Sequence, residues 1–255
     1  MHGTCSRCEA CPVRHKSICG VLSDEELNKL AKISRRKLVK AHNPVFMDGD
    51  DADQYFNVID GIVKLVKTLP DGKQHIVGLM YPTDFLGHPL SRQHKYTAEA
   101  ATDVELCCFP RAPFEALLAE NPKLERRIFE FTVRELDICR DWTLLLGRKS
   151  SYERVASFLY MIARRMSISG CKCIEGGNEL HFRLPFTRAE IADYLGLTLE
   201  TVSRQLSRLK NKKIIELRTS REISIASLDL LAAVAQIDAC QDDIDMRQGE
   251  QASTT

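Results

Sequence analysis

Apolar residues recur along this chain with a helical period at both ends and a strand-like period between them. Near the N-terminus, Leu22-Ser23-Asp24-Glu25-Glu26-Leu27 opens a helix: Ser23 offers the N-cap hydroxyl, and Glu26, three residues on, completes a capping box. From about Arg36 to Phe109 the pattern shortens to β-like runs. Among them are Tyr55-Phe56-Asn57-Val58-Ile59, Gly61-Ile62-Val63-Lys64-Leu65-Val66 and His75-Ile76-Val77-Gly78-Leu79, split by the turn dipeptides Asp60-Gly61 and Asp71-Gly72. Many short strands with regular turns predict a small β-barrel or jelly roll inside an α+β chain.

The helical period returns from Pro122 to Gly147. Phe129, Thr132, Leu136, Cys139, Thr143 and Leu146 follow one another at three- and four-residue spacing, and Leu124, Ile128, Phe131, Ile138, Trp142 and Leu145 make a second stripe. Two stripes predict two packing partners: one face on the barrel, the other on a second copy of the chain. One deeply buried core helix would carry the same pattern. The expected organisation is a cysteine-rich segment (1–22), a β-barrel (23–121), a dimerisation helix (122–148), a DNA-binding domain (149–232) and a tail (233–255). From about Asp238 the tail lacks apolar periodicity and is expected to be disordered.

Within 149–232, Thr187-Arg188-Ala189-Glu190 is a capping box opening a helix whose Ile191, Ala192 and Leu195 face inward. Gly196 suits the left-handed turn that ends it, and Thr198 caps the next helix. There Leu199, Val202, Leu206 and Leu209 form an apolar stripe, leaving Glu200, Ser203, Arg204, Ser207 and Arg208 on the opposite face. That outer face suits a DNA major groove. Arg204 has the fork that pairs with guanine O6 and N7, Glu200 the acceptor for a cytosine amino group, and Ser203 serves either way. Arg188, Arg208, Lys210, Lys212 and Lys213 are phosphate-contact candidates. The runs 213–218 and 222–225 read as a hairpin, the wing of a winged helix. A charged surface helix pair shares some of these features but not the combination.

Composition narrows the picture modestly. Of 255 residues 44% are apolar and 28% charged, enough for a sizeable core, and a net charge of +1 leaves local clustering to decide any nucleic-acid partner. With no run of eighteen apolar residues and no charged or apolar leader at Met1-His2-Gly3-Thr4-Cys5, a cytoplasmic protein that does not enter a membrane is expected. The ten cysteines are unevenly spaced. Cys5, Cys8, Cys11 and Cys19 crowd one end and Cys107-Cys108 lies on a barrel strand, a pattern that favours metal ligation over disulfides. Thiolates at this spacing suit an iron–sulfur cluster or zinc, and spacing alone does not choose.

Leu195-Gly196-Leu197-Thr198-Leu199-Glu200-Thr201-Val202-Ser203-Arg204 resembles the recognition motif of the CRP/FNR superfamily, in the form of its FNR branch. The resemblance runs from about Cys8 to Leu231 and takes in the barrel, the long helix and the Leu144-Leu145-Leu146 run. It implies a cyclic-nucleotide-binding-like barrel, a homodimer, and a winged helix whose Glu200, Ser203 and Arg204 read the half-sites of a palindromic duplex. It also implies a 4Fe–4S cluster with three N-terminal thiolates, matched by Cys8-x2-Cys11-x7-Cys19, and a fourth from the barrel. Counting to Pro110 as the family does selects Cys107 over Cys108, and strand alternation allows only one of the pair to face the cluster.

The further implications are an oxygen-responsive transcription regulator that is not an enzyme and that contacts RNA polymerase through loops such as Leu69-Pro70-Asp71-Gly72-Lys73. Two departures stand out. Asp84-Phe85-Leu86-Gly87-His88-Pro89 lacks the family's cyclic-nucleotide phosphate cassette, so no cyclic nucleotide is expected. Cys139 occupies the seam position where the branch often has an acidic residue, although Glu135, Asp137 and Asp141 lie nearby. Cys5 has no counterpart in the branch and is read as a spare thiol near the site, and Cys171, Cys173 and Cys240 as ordinary residues. The alternatives are the same DNA-binding fold with a zinc or thiol-redox site, and an iron–sulfur oxidoreductase, for which no nucleotide-binding glycine motif is present.

Overall fold

The computed structural model describes residues 6–87, 91–168 and 180–237. Cys5, His88, Cys171, Cys173, Cys240 and the tail beyond 237 lie outside the described residues. The chain divides into two compact units, with the boundary between Ile138 and Cys139.

In the first unit a short helix α1 (Ser6–Glu9) and a 3-10 turn (Ile18–Val21) precede α2 (Asp24–Ile33). The capping box at the start of α2 is formed: Ser23 N–H donates to Glu26 Oε2 at 2.8 Å, and Glu26 N–H donates to Ser23 Oγ at 3.3 Å. Eight strands follow: β1 (Arg35–Val39), β2 (Pro44–Phe46), β3 (Gln54–Asp60), β4 (Val63–Thr68), β5 (Gln74–Met80), β6 (Phe85–Leu86), β7 (Thr97–Ala100) and β8 (Val104–Pro110). They make two four-stranded sheets, ordered β1-β8-β3-β6 and β2-β7-β4-β5. Among the described residues no strand ladder joins the two, so the jelly-roll form of the expectation holds and a closed barrel does not. Gly61 (φ +83°) turns β3 into β4, where a Cβ would sit 2.2 Å from the Asp103 carbonyl.

Strand alternation gives the β1-β8-β3-β6 sheet two buried faces. Phe56, Val58, Leu106 and Cys108 point into the roll and meet Val63, Leu65 and Ala98 of the other sheet. Tyr55, Cys107 and Phe109 point the other way, into a second apolar cluster with Ile18, Leu27 and Leu30, closed by Phe114 and Leu117 of α3 (Arg111–Glu120) and by Leu124 and Ile128 of the long helix α4 (Pro122–Arg148).

The second unit contains the last turns of α4, then α5 (Ser151–Ile168), β9 (Leu180–Arg183), α6 (Arg188–Leu195), α7 (Leu199–Asn211), β10 (Ile215–Leu217), β11 (Glu222–Ile225) and α8 (Leu228–Ala235). The expected hairpin is β10–β11, and β9 adds a third strand in the order β10-β11-β9. Trp142 stacks on Tyr194 with ring centroids 4.1 Å apart, and Lys149 Nζ donates to the Ala235 carbonyl at 2.7 Å. The described helices include none long and apolar enough to cross a membrane.

Candidate functional site

Four thiols meet on the outer face of the β1-β8-β3-β6 sheet. Cys8 comes from α1, Cys11 from the loop after it, Cys19 from the 3-10 turn and Cys107 from β8, and all four line one small cavity with Arg7, Arg14, Ser17, Leu27, Arg36, Asn57 and Ile59. Cys108, one residue along β8, is buried in the roll instead.

Local bonds hold the cysteine segment in place. Arg7 Nη2 donates to the Ala31 carbonyl at 3.0 Å and to Ser34 Oγ at 2.8 Å, Arg14 pairs with Asp24 at 3.0 Å, and Arg127 of α4 donates to the Lys16 carbonyl at 3.3 Å. Arg127 is buried, so the loop that carries the thiols and the long helix share an interior contact that the charge pattern of α4 does not announce. Burial pushes the Cys19 thiol up to about 12, against a bond to Ser17 that lowers it, and burial pushes Cys107 up to about 11, against the lowering effects of Ser34 and Arg36.

The donor set fits an iron–sulfur group: four soft sulfurs, three arginines to offset thiolate charge, and an apolar wall from Leu27 and Ile59. Among the described residues, no three of these sulfurs lie within 4.8 Å of one another. A tetrahedral zinc with Zn–S bonds of about 2.3 Å draws its sulfurs to about 3.8 Å apart.

On α4 the two stripes differ in exposure. Leu124, Ile128 and Leu145 are buried, with Phe131 and Trp142 half-buried; Ile138 of the same stripe is exposed. Phe129, Thr132, Leu136, Cys139 and Thr143 are exposed; Phe129 keeps 66% of its surface and Leu136 48%. Thr132 and Thr143 donate their hydroxyls to the carbonyls of Ile128 and Cys139 on their own helix, which satisfies the polar atoms along this stripe.

The α6–α7 pair has the predicted caps. Glu190 N–H donates to Thr187 Oγ1 and Thr187 N–H to the Glu190 carboxylate; Gly196 is left-handed at φ +59°; Thr201 N–H donates to Thr198 Oγ1 at 3.2 Å. Val202, Leu206 and Leu209 are buried, but Leu199 is 47% exposed, and Gln205 takes the interior place instead through a bond from Nε2 to Ser151 Oγ. The reason is position. Leu199 is the first residue of α7, before the stripe has turned under the helix. Glu200 and Arg204 are exposed and Ser203 is half-buried beside Arg188, whose Nη1 donates to its hydroxyl. Arg208 lies over the Tyr152 ring at 4.3 Å, with Lys212 over the same ring at 5.3 Å. Tyr152 was not legible as part of this surface, because it belongs to α5, forty-seven residues before α7 begins, in the helical pattern of another element.

Residues 36–121 match the cyclic nucleotide-binding domain and residues 153–234 the Crp-like helix-turn-helix domain. The chain is 42% identical over 233 residues to the transcriptional activator protein FnrL of Cereibacter sphaeroides, spanning 91% of this chain and 93% of that one. The chain belongs to the FNR branch of the CRP/FNR family. It is also 40% identical to the nitrogen fixation regulation protein FixK of Bradyrhizobium diazoefficiens over 203 residues, 80% of this chain and 83% of the relative. The structure of FixK2 from Bradyrhizobium japonicum superposes with a TM-score of 0.71 at 30% identity, covering 81% of this chain and all of that one. These are transcription regulators, and this CRP/FNR-family chain is a DNA-binding transcription regulator rather than an enzyme.

Proposed function

We propose that this chain is an oxygen-sensing regulator of the cytoplasm, active as a homodimer when a 4Fe–4S cluster is bound by Cys8, Cys11, Cys19 and Cys107, and controlling genes of anaerobic or micro-oxic growth. The observation that carries this reading is the convergence of three N-terminal thiols and one strand thiol on a single arginine-lined cavity. Bound there, the cluster supplies an oxygen-labile cross-link.

The residues around it supply the transmission. With the cysteine loop fixed, the Lys16 carbonyl holds the buried Arg127, and Ile18 and Leu22 support Leu124 and Ile128, so the start of α4 is held in one orientation. The exposed stripe Phe129, Thr132, Leu136, Cys139 and Thr143 then pairs with its copy. Dimerisation brings two α7 helices to the successive major grooves of a palindromic site, where Glu200, Ser203 and Arg204 read bases and Arg188 and Arg208 contact phosphate. Losing the cross-link frees the loop and shifts the population toward a form that does not bind DNA.

The remaining partners follow from the same reading. The turn between β4 and β5 exposes Leu69 and Lys73 for RNA polymerase. A cyclic nucleotide is disfavoured by aromatic packing inside the roll, where Phe46 stacks on His94 at 3.5 Å and lies 5.8 Å from Phe56.

The test is anaerobic purification, with iron and sulfide counted and palindrome binding measured before and after air. A brown protein that loses its visible band and its DNA binding together is the expected result. Colourless protein that binds equally in both conditions overturns the cluster and leaves a zinc or thiol-redox site.

A further inference from the structure

The wall of the thiol cavity contains, outside the ligand set, one polar side chain whose hydrogen-bonding capacity is largely unspent. Asn57 on β3 pairs in register with Cys107 on β8, and Cys107 pairs in turn with Arg36 on β1, so Arg36, Cys107 and Asn57 form a row across three strands on one face. All three line the cavity. Asn57 is only 2% exposed, and asparagine is poorly suited to a buried strand.

Its amide is poorly satisfied. Oδ1 has no hydrogen-bond partner, and Nδ2 has a 3.4 Å bond to the carbonyl of the adjacent Val58. The other polar side chains of the cavity are committed: Arg7 to Ser34, Arg14 to Asp24, Ser17 to the Arg14 carbonyl and Arg36 to Glu105. An orphaned buried amide oxygen destabilises the folded chain, because it has given up water without a partner. A leucine of the same branching would bring no unsatisfied polar atom to this position in the protein without its cluster, so the amide serves the cavity rather than the fold.

Resting on the cluster reading above, we propose that Asn57 is a positioning residue for the cluster, keeping one N–H of Nδ2 on the Val58 carbonyl and donating the other to sulfur beside Cys107. Hydrogen bonds to cluster and thiolate sulfurs disperse their negative charge, raise the reduction potential and slow oxidation. Asn57 thus sets how long the switch survives in air.

The experiment compares wild type with Asn57→Leu and with the isosteric Asn57→Asp, which lacks the NH2. Measured are iron and sulfide content, decay of the visible band in air, midpoint potential, and melting temperature after the cluster is removed. The expected result is opposite signs in Asn57→Leu: cluster-free protein that melts at a higher temperature, and a cluster that decays on the order of tenfold faster at a lower potential, as loss of a hydrogen bond to a charged acceptor implies. Asn57→Asp should decay at least as fast. Iron-loaded variants with wild-type decay and potential would overturn the role of Asn57 while leaving the cluster intact. Cluster-free Asn57→Leu that melts lower than wild type would make the amide a structural group and overturn it as well. Wild-type protein without iron and sulfide would overturn the cluster reading itself, and this proposal with it.

Discussion

Arg188 Nη1 donates to the Ser203 hydroxyl at 3.2 Å, joining the first turn of α6 to the outward face of α7. One guanidinium thus orients a side chain proposed to read bases while itself being proposed to contact phosphate. Ser203→Ala should weaken palindrome binding roughly tenfold and relax discrimination at one base pair. Arg188→Ala should weaken binding to all sequences, reduce the salt slope by about 1, and relax discrimination at the Ser203 base pair less than Ser203→Ala does. Because the two residues touch, the double variant should lose less than the two single losses combined. Fluorescence anisotropy on matched and mismatched duplexes across a salt series measures all three.

Adjacent thiols on β8 should behave as opposites. Cys107→Ala should abolish iron loading with little change in the stability of cluster-free protein. Cys108→Ala, in the core of the roll, should load iron normally and lose about 1 kcal/mol of stability. Iron content after anaerobic purification and thermal denaturation of the cluster-free forms separate the two.

Leu136 is half-exposed in the outward stripe of α4, so a charge there disturbs little within one chain. Leu136→Glu should leave helix content unchanged, give a monomer in sedimentation velocity, and lower palindrome affinity by about a hundredfold or more, because each half-site is then engaged alone.

The capping box on α2 makes a pH prediction. The Ser23 backbone N–H, more than its hydroxyl, holds the Glu26 carboxyl below the usual carboxylate range. A group whose folded pKa is depressed stabilises above the unfolded value, and the contribution fades as pH falls through the folded one. Glu26→Ala should therefore cost about 0.5 kcal/mol at pH 7, and the gap from wild type should close between about pH 5 and pH 3. Thermal melts of both proteins across that range test it.

What the sequence made legible was local. Ser23/Glu26, Thr187/Glu190, Gly196 and Thr198 announce helix ends because capping is decided within four residues, and all four behave as expected. Asp60-Gly61 and the runs around β3, β4 and β5 were readable for the same reason. The open roll was not, since closure depends on pairing between distant strands. The strand β9 has only four residues and owes its place to its ladder with β11. Arg127 reads as a solvated charge in the pattern of α4, yet it is buried against the Lys16 carbonyl 111 residues away. The four thiols could be listed from spacing and resemblance. So could their meeting at one site, but not the amide of Asn57 beside them, which depends on the strand register that sets Cys107 opposite Asn57.

Three of the thiols in the cavity belong to the first nineteen residues and the fourth to β8, so a group ligated by all four ties together positions separated by roughly ninety residues. Such a tie acts on the unfolded chain as a disulfide does, and for a loop of this length chain-entropy arguments put the effect at about 4–5 kcal/mol. On the proposed reading the sensor is in that sense also a rivet. Air would then turn off DNA binding and at the same moment leave a looser protein, open to proteases, so the signal would be erased by turnover as well as by chemistry.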